Sequence, residues 1–204
     1  MFHNDFFRNV RNYKINMVVK IMIVSDFVII SAANLFSPIF ALYVTDSIGL
    51  ATIATVGIAM SIRSVFEAVF EIPLARLMDR TKTEKDDFYI TVVGNTLAAL
   101  VYLGLAFTTA IWQLYILQAL LGIASAMVFP GWCKVFTRHA DKDKAGVEWS
   151  VYDIIIGVGR ALAASAGAMI AVSLGFRLLF VVVSLLTVFG TLLLLMVRKK
   201  IYLK

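Results

Sequence analysis

The sequence predicts an all-α integral membrane protein of six transmembrane helices, arranged as two inverted three-helix repeats. Three observations carry this. Of 204 residues, 61% are hydrophobic and 16% charged, whereas an ordinary soluble domain has roughly half and about a quarter. The apolar residues fall into six stretches, each long enough at ~1.5 Å per residue to cross a hydrocarbon core of ~30 Å. Lys and Arg collect on alternate connections between those stretches.

Within the amino-terminal segment of residues 1–16, the start from Met1 to Tyr13 is polar and aromatic and lacks a small-residue cleavage site before the first apolar run. The first helix is therefore expected to serve as the targeting signal, with no cleaved leader. That span runs from about Met17 to Val44 and carries Pro38 toward its far end. The second runs from about Ala51 to Met78, the third from Phe88 to Thr108, and the fourth from Ile111 to Phe136 with Pro130 inside it. The fifth covers about Val147 to Leu174 and the sixth Leu178 to Val197, followed by a basic tail over 198–204. Helices are required because lipid offers no partner to backbone N–H and C=O groups. No low-complexity tract or Pro/Gly/Ser linker divides the chain, so residues 1–204 are expected to form one domain.

Topology follows from the basic residues. The amino-terminal segment has Arg8, Arg11, Lys14 and Lys20, and the second-to-third connection has Arg76, Arg80, Lys82 and Lys85. The fourth-to-fifth has Lys134, Arg138, Lys142 and Lys144, and the tail has Arg198, Lys199, Lys200 and Lys204. These sixteen of the nineteen basic residues lie on one side, against Arg177 on the other. Both termini are expected in the cytoplasm and the chain in the cell (inner or plasma) membrane. The formal charge of +6 is explained by these loops, so no nucleic-acid partner is expected.

An internal repeat is visible. Ser64-Val65-Phe66-Glu67 of the second span recurs as Ser150-Val151-Tyr152-Asp153 of the fifth, and the first and fourth spans carry Pro38 and Pro130. Three is odd, so two three-helix units enter the membrane from opposite sides, a layout common in transporters.

A charge within a span costs about 2.5 to 3.5 kcal/mol by insertion scales and usually faces a bundle interior or a watery cavity. Away from the basic helix ends the spans contain Asp26, Arg63, Glu67, Glu71, Asp153 and Arg160. Arg63, Glu67 and Glu71 fall within an arc of about 80° on the second helix, as do Asp26, Asn34 and Ser37 on the first. Gln118, Gly122, Ser125, Phe129 and Trp132 make a stripe on the fourth, and Asp153 lies about two turns from Arg160 on the fifth. The third and sixth lack such a face. Leu178 to Val197 is apolar except for Ser184, Thr187 and Thr191, as a lipid-facing helix would be. The residues expected to line a substrate or ion pathway are thus Asp26, Asn34, Arg63, Glu67, Gln118, Trp132, Asp153 and Arg160. The alternative is a closed ion-pair network that only holds helices together. Four acids stand against two bases, and a buried acid without a counter-charge takes up a proton or holds a cation. Asp26 or Asp153 is therefore expected to take a proton or cation, Glu67 to pair with Arg63, and Arg63 and Arg160 to attract an anionic part of a small substrate.

Enzyme chemistry is poorly supported. The two histidines, His3 and His139, lie in polar end segments without ligand-spaced partners, and Cys133 is alone. No metal, cofactor, disulfide, phosphate loop or dinucleotide turn is expected.

The second-to-third connection reads Pro73-Leu74-Ala75-Arg76-Leu77-Met78-Asp79-Arg80, followed by Lys82 and Lys85. It resembles the cytoplasmic signature of the major facilitator superfamily. Gly175-Phe176-Arg177 with Phe180 is similar to that family's turn between helices five and six, and Leu121-Gly122 with Phe129-Pro130 sits where its fourth helix has glycine and proline. The resemblance implies that helices one, two, four and five line the path while three and six stand outside. It also implies that Asp79 and Arg80 form a cytoplasmic gate latch. Departures are Ala75 and Lys82 at the signature's glycines, Thr83 and Glu84 at basic positions, and Gln118 at an arginine. The antiporter glycine-proline pattern is also absent around Gly157 to Gly167. The expected function is secondary transport of a small solute by alternating access. The family has twelve helices, so this chain corresponds to an amino-terminal half and is expected to act as a homodimer of six-helix halves. Its rivals are a split or truncated half needing a different partner, and a non-transporting membrane scaffold.

Overall fold

The computed structural model describes residues 15–80 and 83–198. Expectations resting on residues 1–14, Lys82, and the tail lysines 199, 200 and 204 lie outside the described residues. Every regular element among the described residues is helical. Helix α1 spans Met17–Ser47, α2 Ile53–Arg80, α3 Glu84–Leu105 and α4 Ile111–His139. The last stretch, Ala145–Leu195, has 51 residues. A straight helix of that length would reach roughly 77 Å, more than twice the bilayer core. It breaks at Gly175, where φ is 82° and ψ 163°, a conformation that glycine adopts without a Cβ clash. The break yields α5 (145–174) and α6 (176–195), and hence six helices among the described residues.

Helix bounds differ from the hydropathy reading by up to four residues, and two of the differences have a local cause. Helix α1 does not run evenly to its end: around Pro38, which has no N–H to donate, it tightens into a 3-10 turn over Ser37–Ile39. Helix α3 starts four residues earlier than its apolar run, because Glu84, Asp86 and Asp87 occupy its first turn, where the helix dipole favours acids. Pro73 and Pro130 are carried inside α2 and α4.

Helices in lipid approach closely where residues are small. Gly122 of α4 lies against the Arg63 to Glu67 backbone of α2, and Gly94 of α3 against Ala124 and Val128 of α4. Gly159 and Gly167 of α5 lie against Phe27, Ser31 and Leu35 of α1, and Gly190 of α6 against Ser25 and Ile29. The Ser25 hydroxyl donates to the Gly190 carbonyl at 2.8 Å. Helices α3 and α6 join through the Ser184 hydroxyl on the Ala99 carbonyl at 2.8 Å. Arg177 stacks over Phe107 at 4.6 Å at one end of this pair and Arg198 over Tyr89 at 5.8 Å at the other. The main packing runs in the order α2, α4, α3, α6, α1, α5, an arc in which α2 also touches the far end of α1 and α5 the basic end of α4. Exchanging α1, α2 and α3 with α4, α5 and α6 leaves this set of neighbours unchanged, as two inverted repeats require.

The sixth helix turns its mildly polar side toward its neighbours and its apolar side outward. Its mildly polar residues, Ser184, Thr187 and Thr191, are buried among α6's neighbours, while Leu185, Val188, Phe189 and Leu192 are exposed. Small hydroxyls that bond within the helix, as Thr187 and Thr191 do to Val183 and Thr187, are packing residues. The ends of the arc are the barest: α2 exposes Val65, Val69 and Ile72, and α5 exposes Ile154, Leu162 and Met169.

Candidate functional site: a divided polar cavity in the concave face

Two of the cavities between the helices are lined by both Glu67 of α2 and Tyr102 of α3. One, of about 460 Å³, lies toward the helix ends with few basic residues, and Asn34, Pro38, Arg63, Ser64 and Gln118 line it. The other, of about 470 Å³, lies toward the basic ends; Asp26, Asn95, Ser125, Trp132, Tyr152 and Arg160 are among its walls.

The helix stripes explain why these side chains converge. Asp26 and Asn34 are eight residues apart, about two turns, and so share a face of α1. Asn34 donates its amide to the Ile30 carbonyl one turn back at 2.8 Å. Gln118 and Trp132 on α4 are buried. Arg63 reaches from α2 to α4, where its guanidinium donates to the Ser125 hydroxyl at 3.5 Å. The expected Arg63 to Glu67 ion pair is not among the ion pairs of the described residues. One turn apart on a helix edge, both side chains instead extend into the cavity.

Asp26 is buried, and the Tyr152 hydroxyl of α5 donates to its Oδ2 at 3.0 Å. Tyr152 is one of four rings in mutual contact, with Trp132, Phe136 and Trp149; their centroids are 4.6 to 5.9 Å apart. Asp153, the next residue, is exposed and lines neither cavity, whereas Arg160 lines the second. The structure thus brings together seven of the eight expected pathway residues and leaves Asp153 on the flank of α5.

The third helix, expected to stand outside, contributes Asn95 and Tyr102, both buried. One asparagine and one tyrosine in an apolar span are signals that a search for charges overlooks. Trp149 and Tyr152 were also missed, being aromatic residues within a segment read for its acid.

At the basic ends a second cluster surrounds Lys134 of α4. Its ammonium lies 2.9 Å from Asp87 Oδ1 and 3.2 Å from Asp79 Oδ1, and it donates to the Met78 carbonyl at 3.0 Å. The Asp87 side chain is 1% exposed and that of Asp79 72%. Lys134 thereby ties the end of α2 and the start of α3 to α4. Arg80 is exposed. Beside this cluster His139 Nδ1 lies 3.0 Å from Glu84.

Comparison with known proteins accords with this architecture. The chain is 28% identical over 171 residues to the multidrug resistance protein MdtG of Enterobacter lignolyticus, which covers 83% of this chain and 40% of that one. The Salmonella arizonae protein of the same name is equally similar, at 28% over 83% of this chain and 41% of its own. The chain therefore spans about two-fifths of the length of these relatives. The crystal structure of the POT family transporter PepTSo superposes with a TM-score of 0.78 over 92% of this chain and 38% of that one, at 14% identity, which is a likeness of fold. The model of the Major Facilitator Superfamily matches residues 22–202. With a match across nearly its whole length, six helices in paired triplets and a polar concave face, this chain belongs to the Major Facilitator Superfamily, a family of multi-pass membrane transporters.

Proposed function

We propose that this chain is one six-helix half of a secondary transporter that moves a small solute by alternating access, with both of its ends in the cytoplasm. The observation that carries the reading is the divided polar cavity on the concave face of the arc. Gln118 and Asp26 are covered by the chain's own helices, but Arg63, Glu67 and Arg160 are left half-exposed or exposed within the spans and need a second half to enclose them. A second copy in the same orientation, related by an axis along the membrane normal, supplies such a half. A separate or continuous carboxy-terminal half is the other way to complete the path.

In this reading Arg63 and Arg160 attract an anionic part of the substrate, and Asn34, Glu67, Gln118 and Trp132 line its path. Asp26 takes up a proton or cation, as a buried acid beside a donor hydroxyl can. Asp79 and Arg80 act as the cytoplasmic latch. The name of the relatives, multidrug resistance protein, makes drug compounds the first substrates to try. Uptake by the purified chain alone, reconstituted in liposomes under imposed proton and sodium gradients, tests the proposal. Gradient-driven transport supports a homodimer. Transport only after addition of a second six-helix half points to a split transporter, and none under either condition favours a scaffold.

A further inference from the structure

Tyr152 belongs to two assemblies at once. Its hydroxyl donates to Asp26 on α1 at 3.0 Å. Its ring lies 4.9 Å from Trp132 and 5.7 Å from Phe136 on α4, and 5.8 Å from Trp149 on its own helix. Among the described residues this is the hydrogen bond that joins α1 to α5 through two side chains. Helix α5 also packs on α1 at its glycines, with Phe27 and Ser31 against Gly159 and Leu35 against Gly167. The ring cluster in turn fastens α5 to the basic end of α4. Trp132, Trp149 and Tyr152 all line the cavity that Asp26 lines.

We propose that Tyr152 is a positioning residue that couples the occupancy of Asp26 to the packing of the α4–α5 aromatic cluster. This rests on the reading of Asp26 as the acid that takes a proton or cation. An ionised carboxylate is the stronger acceptor for the Tyr152 hydroxyl, because charge-assisted hydrogen bonds are shorter and roughly twice as strong as neutral ones. Protonation of Asp26, or a cation on it, weakens the hold on the hydroxyl. The phenol then turns on its χ angles, and a ring packed against three others cannot turn without disturbing them. The basic ends of α4 and α5 are thereby loosened from α1 when the acid is occupied. The charged and titratable groups that share this region are Arg160 of α5, Cys133 of α4, and Glu67 and Glu71 of α2.

Two of the chain's three tryptophans, Trp132 and Trp149, are in the cluster, and the third, Trp112, lies at the opposite end of α4. Tryptophan emission therefore reports the cluster once Trp112 is replaced by Phe. The purified full chain carrying Trp112→Phe is titrated from about pH 8 to 5, and separately with sodium. The expected result is an emission shift with acid or sodium, lost in Asp26→Asn and lost or strongly reduced in Tyr152→Phe, which keeps the ring and removes only the hydroxyl. His139 is a second source of a pH response, and Asp26→Asn leaves it in place. A Tyr152→Phe titration that overlays the parent overturns the proposal, as does a parent that responds to neither ion. Because the readout needs no transport, an intact emission response without uptake rejects the transport reading and leaves this coupling standing.

Discussion

Lys134 offers a prediction in which two carboxylates share one ammonium and burial alone separates their energetic weight. Asp87, 1% exposed, and Asp79, 72% exposed, lie 2.9 and 3.2 Å from the same Nζ. Removing one partner of a buried pair strands a charge in low dielectric and costs about 3 to 5 kcal/mol. Lys134 is 28% exposed and sits near a helix end, so Lys134→Met is expected at about 3 kcal/mol, the low end of that range. Asp87→Asn keeps shape and a hydrogen-bonding oxygen while removing charge, and costs about 1 to 2 kcal/mol. Asp79→Asn breaks an exposed pair and costs about 0.2 to 1 kcal/mol. The assay is the fraction of monodisperse protein left after stepwise heating in detergent, followed by size-exclusion chromatography. The expected order of stability loss is Lys134→Met, then Asp87→Asn, then Asp79→Asn. If Asp79→Asn costs as much as Asp87→Asn, burial is not what ranks the two, and the argument is wrong. The latch adds a kinetic expectation: Asp79→Asn slows transport several-fold while insertion and stability stay near wild type. Unchanged transport would reduce Asp79 to a topology signal.

Three further outcomes are expected. A Cβ at Gly167 would meet the backbone of Leu35, whereas one at Gly157 meets nothing within 4 Å; Gly167→Ala should cost about 1 to 3 kcal/mol and Gly157→Ala leave the melting behaviour unchanged, a contrast that fails if α5 does not rest on α1. Single cysteines on α2 or α5 should crosslink between copies in membranes more readily than cysteines at Leu185 or Leu192 of α6; the reverse pattern would place the dimer contact on the lipid-facing side. In proteoliposomes Asp26→Asn should abolish the response of uptake to a proton or sodium gradient and Asp153→Asn should retain most of it, since Asp26 lines the cavity and Asp153 does not; equal responses in both variants and wild type would end the coupling role of Asp26.

The sequence by itself determined the solvent, the number of helices and the charged residues that need a polar surrounding. Hydropathy and the placement of Lys and Arg are constraints between one segment and the bilayer, and they act before any helix meets another. Asp26, Arg63, Glu67 and Arg160 were legible for the same reason, because a charge in a span is costly wherever its neighbours are. The tertiary structure decided what those residues meet. Arg63 engages Ser125 rather than Glu67, Asp153 stays outside while Tyr152 beside it reaches Asp26, and Asn95 and Tyr102 enter the cavity from a helix that looked peripheral. Helical periodicity gives the angle between two side chains on one helix but not the direction of that face in the bundle. Which face turns inward is settled by close contacts such as Gly122 on α2 and Gly167 on α1, and these belong to pairs of helices. Lys134 shows the same limit: counted as one more basic residue at a helix end, it becomes a junction of three helices because α2, α3 and α4 pack with Asp79 and Asp87 on either side of it.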